Sequence, residues 1–258
     1  MIKAIFFDID GTLVSFKTHR VPASTLNALR LLRDRGIKLF IATGRHKKTI
    51  TDLDEFDFDG YITLNGGICM VDNETIYKHS IPNEDINALI DYIENVEPIP
   101  CVFVQENQLS MNYKDEATEE IFSLLNYPDP PLRPLREIEG KTVFQILAFF
   151  RQEQEKHIMP VIPHCETTRW NPLFTDVVPS GSSKWVGIMK TLEQFQIDPE
   201  ETMAFGDGGN DIQMLKNAGI GVAMGNSEKD VKQYADYVTD SVDDDGIWNA
   251  LKHFGLIH

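Results

Sequence analysis

The chain has 258 residues, 42% of them hydrophobic, enough to bury one large core or two modest ones. Its 40 acidic and 24 basic side chains leave a net charge of −16, which argues against a nucleic-acid or anionic-membrane partner, because phosphates are repelled at long range. The 3 cysteines, Cys69, Cys101 and Cys165, form no C-x-x-C pair and the 7 histidines no H-E-x-x-H, which argues against a disulfide framework and against a zinc or histidine-bound metal site. No run has the length of a membrane span and the N-terminus lacks the regions of a signal peptide, so the expectation is a cytoplasmic protein.

Residues 3–13 open with an apolar run that predicts a strand buried on both faces, ending in Asp8, Asp10 and Gly11. Residues 22–35 carry Leu26, Leu29 and Leu32 near helical spacing and stop at Gly36; a second buried strand follows at 38–42 and a helix at 47–56. A third strand at 60–64 ends in Asn65-Gly66-Gly67, and runs at 68–71 and 75–81 flank Asp72-Asn73 as a hairpin. From residue 83 the rhythm changes to paired strands and helices: helices at 83–96, 115–125 and 152–159, strands at 101–105, 108–112, 142–149, 165–170 and 175–178. Such an order predicts an α+β module, closed by a linker-like Pro179-Ser180-Gly181-Ser182-Ser183. Beyond it the βα alternation resumes, with helices at 184–195, 212–216, 228–234 and 246–254 and strands at 202–205, 220–224 and 237–238. The fold class is α/β: a Rossmann-like parallel-sheet core (1–82 and 183–258) with an inserted α+β cap (83–182).

Ligands of open α/β sheets sit beyond the carboxyl ends of the strands, where Asp8 and Asp10 fall. Residues two apart share a strand face, so both carboxylates could face one site; an ordinary acidic turn is the alternative. Carboxylates so close repel, which invites a cation, a shared proton or a partner lysine, and oxygen-only ligands favour Mg²⁺. Thr43, Lys184 and the Gly206-Asp207-Gly208-Gly209-Asn210-Asp211 turn also fall at strand ends or helix starts. Lys184 offers a compact cation, Thr43 a hydroxyl and Asn210 a neutral donor for phosphate oxygens, with helix-start N–H groups such as that of Gly44 adding to an anion site. Asp211, one helical turn from Asp207, is near enough to steady a metal shell.

The first motif and the ordered set Asp8/Asp10, Thr43, Lys184 and Asp207/Asp211 resemble the haloacid dehalogenase-like phosphatases, and the inserted module, Asn65-Gly66 and the GDGGND turn are similar to the Cof-like sugar phosphatases with a type-IIB cap. The resemblance spans the chain and is specific in the core, weak in the cap. It implies that Asp8 is the nucleophile, Asp10 the general acid/base, and that Mg²⁺ is held by the Asp8 carboxylate, the Asp10 carbonyl and the Asp207 carboxylate, on a small phosphorylated metabolite as substrate. Two positions depart from the family's pattern: Gly67 stands where it usually has alanine, and Trp185 where it has glycine after the lysine.

Specificity belongs to the cap, because the core motifs address only phosphate and metal. Arg169, on the 165–170 strand, and Asp176, on its neighbour, are candidates for the leaving group, as are Arg45 and Asn65 in the core. Hydrolysis of sugar phosphates through an aspartyl-phosphate is the leading reading. A phosphomutase or phosphotransferase would use the same intermediate without releasing phosphate, and a non-enzymatic phospho-Asp switch module would lack turnover altogether.

Overall fold

The computed structural model describes residues 1–53 and 56–258, the side chain of Trp170 excepted. The apolar run after Lys3 forms β1 (Ala4–Phe7), buried throughout, and is followed by α1 (Ala23–Asp34), β2 (Lys38–Ala42) and β3 (Gly60–Thr63). A hairpin of β4 (Ile68–Val71) and β5 (Glu74–Lys78) comes next; Asp72 and Asn73 at its tip take φ of 50° and 64°, the left-handed pair that matches a tight turn to the twist of its strands. Then come α2 (Asn83–Asn95), β6 (Cys101–Val104), β7 (Leu109–Met111), α3 (Glu116–Leu125), β8 (Gln145–Ala148), α4 (Glu155–Ile158), β9 (Cys165–Asn171) and β10 (Phe174–Pro179). The chain ends with α5 (Lys184–Phe195), β11 (Thr202–Gly206), α6 (Ile212–Asn217), β12 (Ile220–Ala223), α7 (Lys229–Lys232), β13 (Tyr237–Val238) and α8 (Gly246–His253). Among the described residues, no helix is long and apolar enough to cross a membrane.

The chain divides into two compact units, Met1–Tyr77 with Ser183–His258, and Lys78–Ser182. The first holds an eight-stranded sheet in the order β13-β12-β11-β1-β2-β3-β4-β5, parallel from β13 to β3 and turning antiparallel at β4. Alternation along β1 builds its two cores. Ile5 and Phe7 join Leu29, Leu32, Ile247 and Leu251 under α1 and α8, while Ala4 and Phe6 join Ile188, Leu192 and Met214 under α5 and α6. Phe7 stacks on Phe205 and Phe6 on Phe40, with centroids 5.2 and 5.0 Å apart. Truncating either β1 ring to alanine would cost about 3–5 kcal/mol, so the strand carrying Asp8 is anchored from both sides.

The second unit is a five-stranded antiparallel sheet, β7-β6-β8-β10-β9. Ile86, Leu89, Ile90 and Ile93 of α2 pack on Cys101, Phe103, Ile146, Ala148 and Val177, which leaves Gln145, Leu147 and Asp176 on the opposite face.

The helix expected at 47–56 is absent over its described part; only a 3₁₀ turn, Lys47–Thr49, forms, and residues 54 and 55 lie outside the described residues. The β-branched run Thr49, Ile50, Thr51 disfavours helix, and Arg45 draws in the Asp52 carboxylate at 2.8 Å instead. Residues 152–159 break into a 3₁₀ turn, the single turn α4 and a second 3₁₀ turn, Met159–Val161, where Pro160 lacks the N–H a continuing helix would need.

Candidate active site

β11, β1 and β2 are parallel neighbours, so Asp207, Asp8 and Thr43 follow the same ends of three adjacent strands. Asp8 is 6% exposed, and its N–H continues the ladder to the Phe205 carbonyl at 3.0 Å. Lys184, the first residue of α5, is fully buried; its Nζ donates to Asp8 Oδ1 at 2.6 Å and to Asp211 Oδ1 at 2.5 Å. The other Asp211 oxygen accepts the N–H groups of Asp207 and Gly208, both at 2.9 Å, which fixes the turn after β11.

Glycines allow this closeness. Gly11, at φ 78°, comes so near Asp207 that a Cβ there would lie 2.3 Å from Oδ2. Gly66, at φ 91°, passes the start of α5, where a Cβ would lie 2.1 Å from the Ser183 carbonyl oxygen. The Ser183 hydroxyl caps α5 by accepting the Val186 N–H at 3.2 Å, so the lysine projects from a fixed helix start. Trp185, the departure beside it, packs half-buried on the apolar cluster of Phe40, Ile188 and Leu192 and leaves the lysine's contacts intact.

The carboxylates of Asp8, Asp207 and Asp211 lie within 4.8 Å of one another, and Lys184 is the cation bonded to two of them, so this cluster is short of positive charge. Burial pushes Asp8 up to about 7 against the pull of Lys184, with Asp211 and Asp10 adding to the rise. Burial, then Asp8 and Asp211, holds Asp207 well above the usual carboxylate range. The Lys184 ammonium is held above its ordinary value, its burial outweighed by Asp211 and Asp8. An all-oxygen donor set with uncompensated negative charge fits a hard divalent cation.

Asp10 turns elsewhere. Arg45 grips it with both ends of its fork, Nε to Oδ2 at 2.8 Å and Nη2 to Oδ1 at 2.6 Å, while Nη1 reaches Asp52. The strand expected to place Asp8 and Asp10 at one site ends at Phe7, Ile9 follows Phe7 into the core, and Asp10 sits in a loop bridged to Val14, where its charge still acts on Asp8. Thr43 is 1% exposed and its hydroxyl accepts the Arg45 N–H at 3.1 Å across Gly44. Asn65 takes φ 51° at the end of β3, and its Oδ1 accepts Asn210 Nδ2 at 3.1 Å, tying the third strand end to the last motif.

Arg169 and Asp176 belong to the second unit. Arg169 is committed there to Glu155 at 2.8 Å and to the Phe174 and Phe150 carbonyls at 2.7 and 3.1 Å, while buried Asp176 accepts Gln145 Nε2 at 3.0 Å. Three residues of the core site went unforeseen. Thr12 donates to Asp207 Oδ1 at 2.8 Å, Asn226 donates to Asp207 Oδ2 at 3.3 Å and to the Gly11 carbonyl at 2.9 Å, and Asp52 braces Arg45. Asn226 carried a usable signal, since it follows the end of the parallel strand β12.

Residues 5–251 match the family profile of the haloacid dehalogenase-like hydrolases. YkrA of Bacillus subtilis (strain 168), which carries a provisional phosphatase name, is 38% identical over 258 residues, 99% of this chain and 98% of YkrA. A subclass IIB sugar phosphatase of the superfamily, BT4131, superposes with a TM-score of 0.94 at 48% identity over 99% of this chain and 100% of that one. A further solved structure, from work on a conserved trigonal-bipyramidal intermediate in a phosphoryl-transfer superfamily, gives 0.96 at 47% identity over 100% of both chains. With carboxylates gathered around a buried lysine at adjacent strand ends, and with these phosphatases as relatives, the chain is a phosphatase. The chain belongs to the haloacid dehalogenase-like hydrolase family, in its Cof-like branch.

Proposed function

We propose that the chain hydrolyses small phosphorylated metabolites, sugar phosphates foremost, through an aspartyl-phosphate on Asp8 and with Mg²⁺ as cofactor. The observation that carries this reading is the buried cluster of Asp8, Asp207 and Asp211 with Lys184 bridging two of its members. The 48% identity to the sugar phosphatase BT4131 supports the substrate class.

An ionised Asp8 oxygen attacks phosphorus, the bond from phosphorus to the leaving oxygen breaks, and Asp10 gives that oxygen its proton. Asp10 then takes a proton from water as the water oxygen attacks phosphorus and the bond to Asp8 breaks, which frees phosphate and restores both carboxylates. Lys184, the Thr43 hydroxyl, the Gly44 N–H and the Asn210 amide are the groups assigned to hold phosphate oxygens. Arg45 keeps Asp10 in place by its two-point grip. The Asp8 and Asp207 carboxylates and the Asp10 carbonyl would hold Mg²⁺, with Asp211 steadying them. When bound, the ion neutralises the repulsion between the attacking carboxylate and the phosphate. The second unit is assigned the role of a cap that selects the leaving group.

A panel of phosphorylated metabolites assayed for free phosphate, with and without EDTA, tests the reading. Sugar phosphates should turn over best, chelation should stop turnover, and added Mg²⁺ should restore it. Acid-quenched protein should carry label from ³²P-labelled substrate in the wild type and none in Asp8→Asn. Transfer of phosphate to a second sugar without release would sink the hydrolase assignment, and full activity after exhaustive chelation the metal.

A further inference from the structure

A second cluster of metal-ligating side chains lies in the Lys78–Ser182 unit and takes no part in the proposed chemistry. Glu84 and Asp85 stand in the first turn of α2, and His164 immediately precedes β9. The Asp85 side chain is 3% exposed, and its two oxygens have different surroundings. Oδ2 accepts the His164 backbone N–H at 2.9 Å and faces the Cys165 thiol at 3.5 Å. Oδ1 lies 3.1 Å from His164 Nδ1, and Glu84 Oε1 lies 3.4 Å from the same nitrogen. One imidazole nitrogen therefore faces two carboxylate oxygens. In a tetrahedral site with metal–ligand bonds of about 2.0–2.1 Å, neighbouring ligand atoms are about 3.3 Å apart, close to the two separations from His164 Nδ1, and all three ligand atoms lie within 4.8 Å of one another.

We propose that Glu84, Asp85 and His164 form a binding site for a divalent transition metal of the Zn²⁺ class, pinning the start of α2 to the start of β9. The donor set separates it from the core cluster: an imidazole nitrogen joins the carboxylates here, and imidazole suits Zn²⁺ where carboxylates alone suit Mg²⁺. Hydrogen bonds from the His164 N–H and the Cys165 thiol orient Asp85 and direct Oδ1 toward the metal, as supporting partners of metal ligands do. Glu84 and His164 are largely exposed, which gives an ion direct entry.

Zn²⁺ is titrated into the full-length protein against a chromophoric chelator in excess Mg²⁺. The wild type should take up one equivalent more than His164→Ala, and Glu84→Gln should weaken that equivalent by about tenfold or more. Asp207→Asn, which cripples the core cluster, should retain it. Zn²⁺ should raise the Tm of the wild type and of Asp207→Asn but not of His164→Ala, whose exposed position leaves folding intact. Equal Zn²⁺ uptake by the wild type and His164→Ala overturns the proposal, as does loss of the equivalent in Asp207→Asn.

Discussion

Replacing Lys184 by methionine keeps the apolar stem and removes the ammonium between Asp8 and Asp211. Both contacts, at 2.6 and 2.5 Å, are buried, so the change strands two carboxylates away from water, and breaking a buried pair from one side costs about 3–5 kcal/mol. At about 2–4 °C per kcal/mol for a chain near this size, Tm should fall by about 6–20 °C in EDTA at pH 8. The loss should depend on pH in a fixed direction. Asp8 is raised from 3.8 to about 7 even with the lysine present, and further without it. A raised carboxylate binds more protons folded than unfolded, so stability falls as pH climbs from the unfolded toward the folded value. The variant's deficit should therefore be smaller near pH 5, where folded Asp8 takes up its proton, and largest near pH 8. Added Mg²⁺ should recover part of it, by supplying the missing charge. Scanning calorimetry of both proteins across pH 5–8, with and without EDTA, reads this directly. A Tm loss identical at both ends of the range, or below about 2 °C throughout, would refute the reasoning.

Asp8→Asn should abolish phosphate release while leaving the metal-free protein as stable as the wild type or more so at pH 8, because a carboxylate that burial penalises is gone; substantial turnover would remove Asp8 from its role. Asp10→Asn should lower kcat by about 10²–10⁴-fold, and a loss well under tenfold would count against proton transfer there. Gly11→Ala should cost both Tm and activity, since its Cβ would lie 2.3 Å from Asp207 Oδ2 at a strained φ of 78°; wild-type kinetics would show that the loop can shift. Arg169→Ala should lower Tm and reduce kcat/KM equally for a sugar phosphate and a small aryl phosphate, because its guanidinium is committed to Glu155 and backbone carbonyls; a loss confined to the sugar would restore it as a specificity residue.

What could be read in advance followed the reach of each physical signal. β1, β2 and β11 are short apolar runs buried on both faces, and their ends were visible because a charged or glycine-rich turn stops each one. Lys184 could be placed at a helix start because a linker-like run precedes it, the last residue of which, Ser183, caps the helix. The same periodicity failed at 47–56, where Arg45 recruits Asp52 and a β-branched run outweighs spacing.

Pairings across the chain were out of reach, and they decide which side chain does what. Strand alternation put Asp8 and Asp10 near one site, yet the strand ends at Phe7, and the partner of Asp10 is an arginine 35 residues on. The counting that located the carboxylates could not tell that one would be held by a lysine and the other by a guanidinium. That split has a chemical consequence. Lys184 spans Asp8 and Asp211, leaving Asp207 and the outer oxygens for a cation, while the Arg45 fork holds both oxygens of Asp10. Two carboxylates given different partners are fixed independently, Asp8 beside the cation cluster and Asp10 in the fork of an arginine, so that each can be given a separate task on the same phosphate ester.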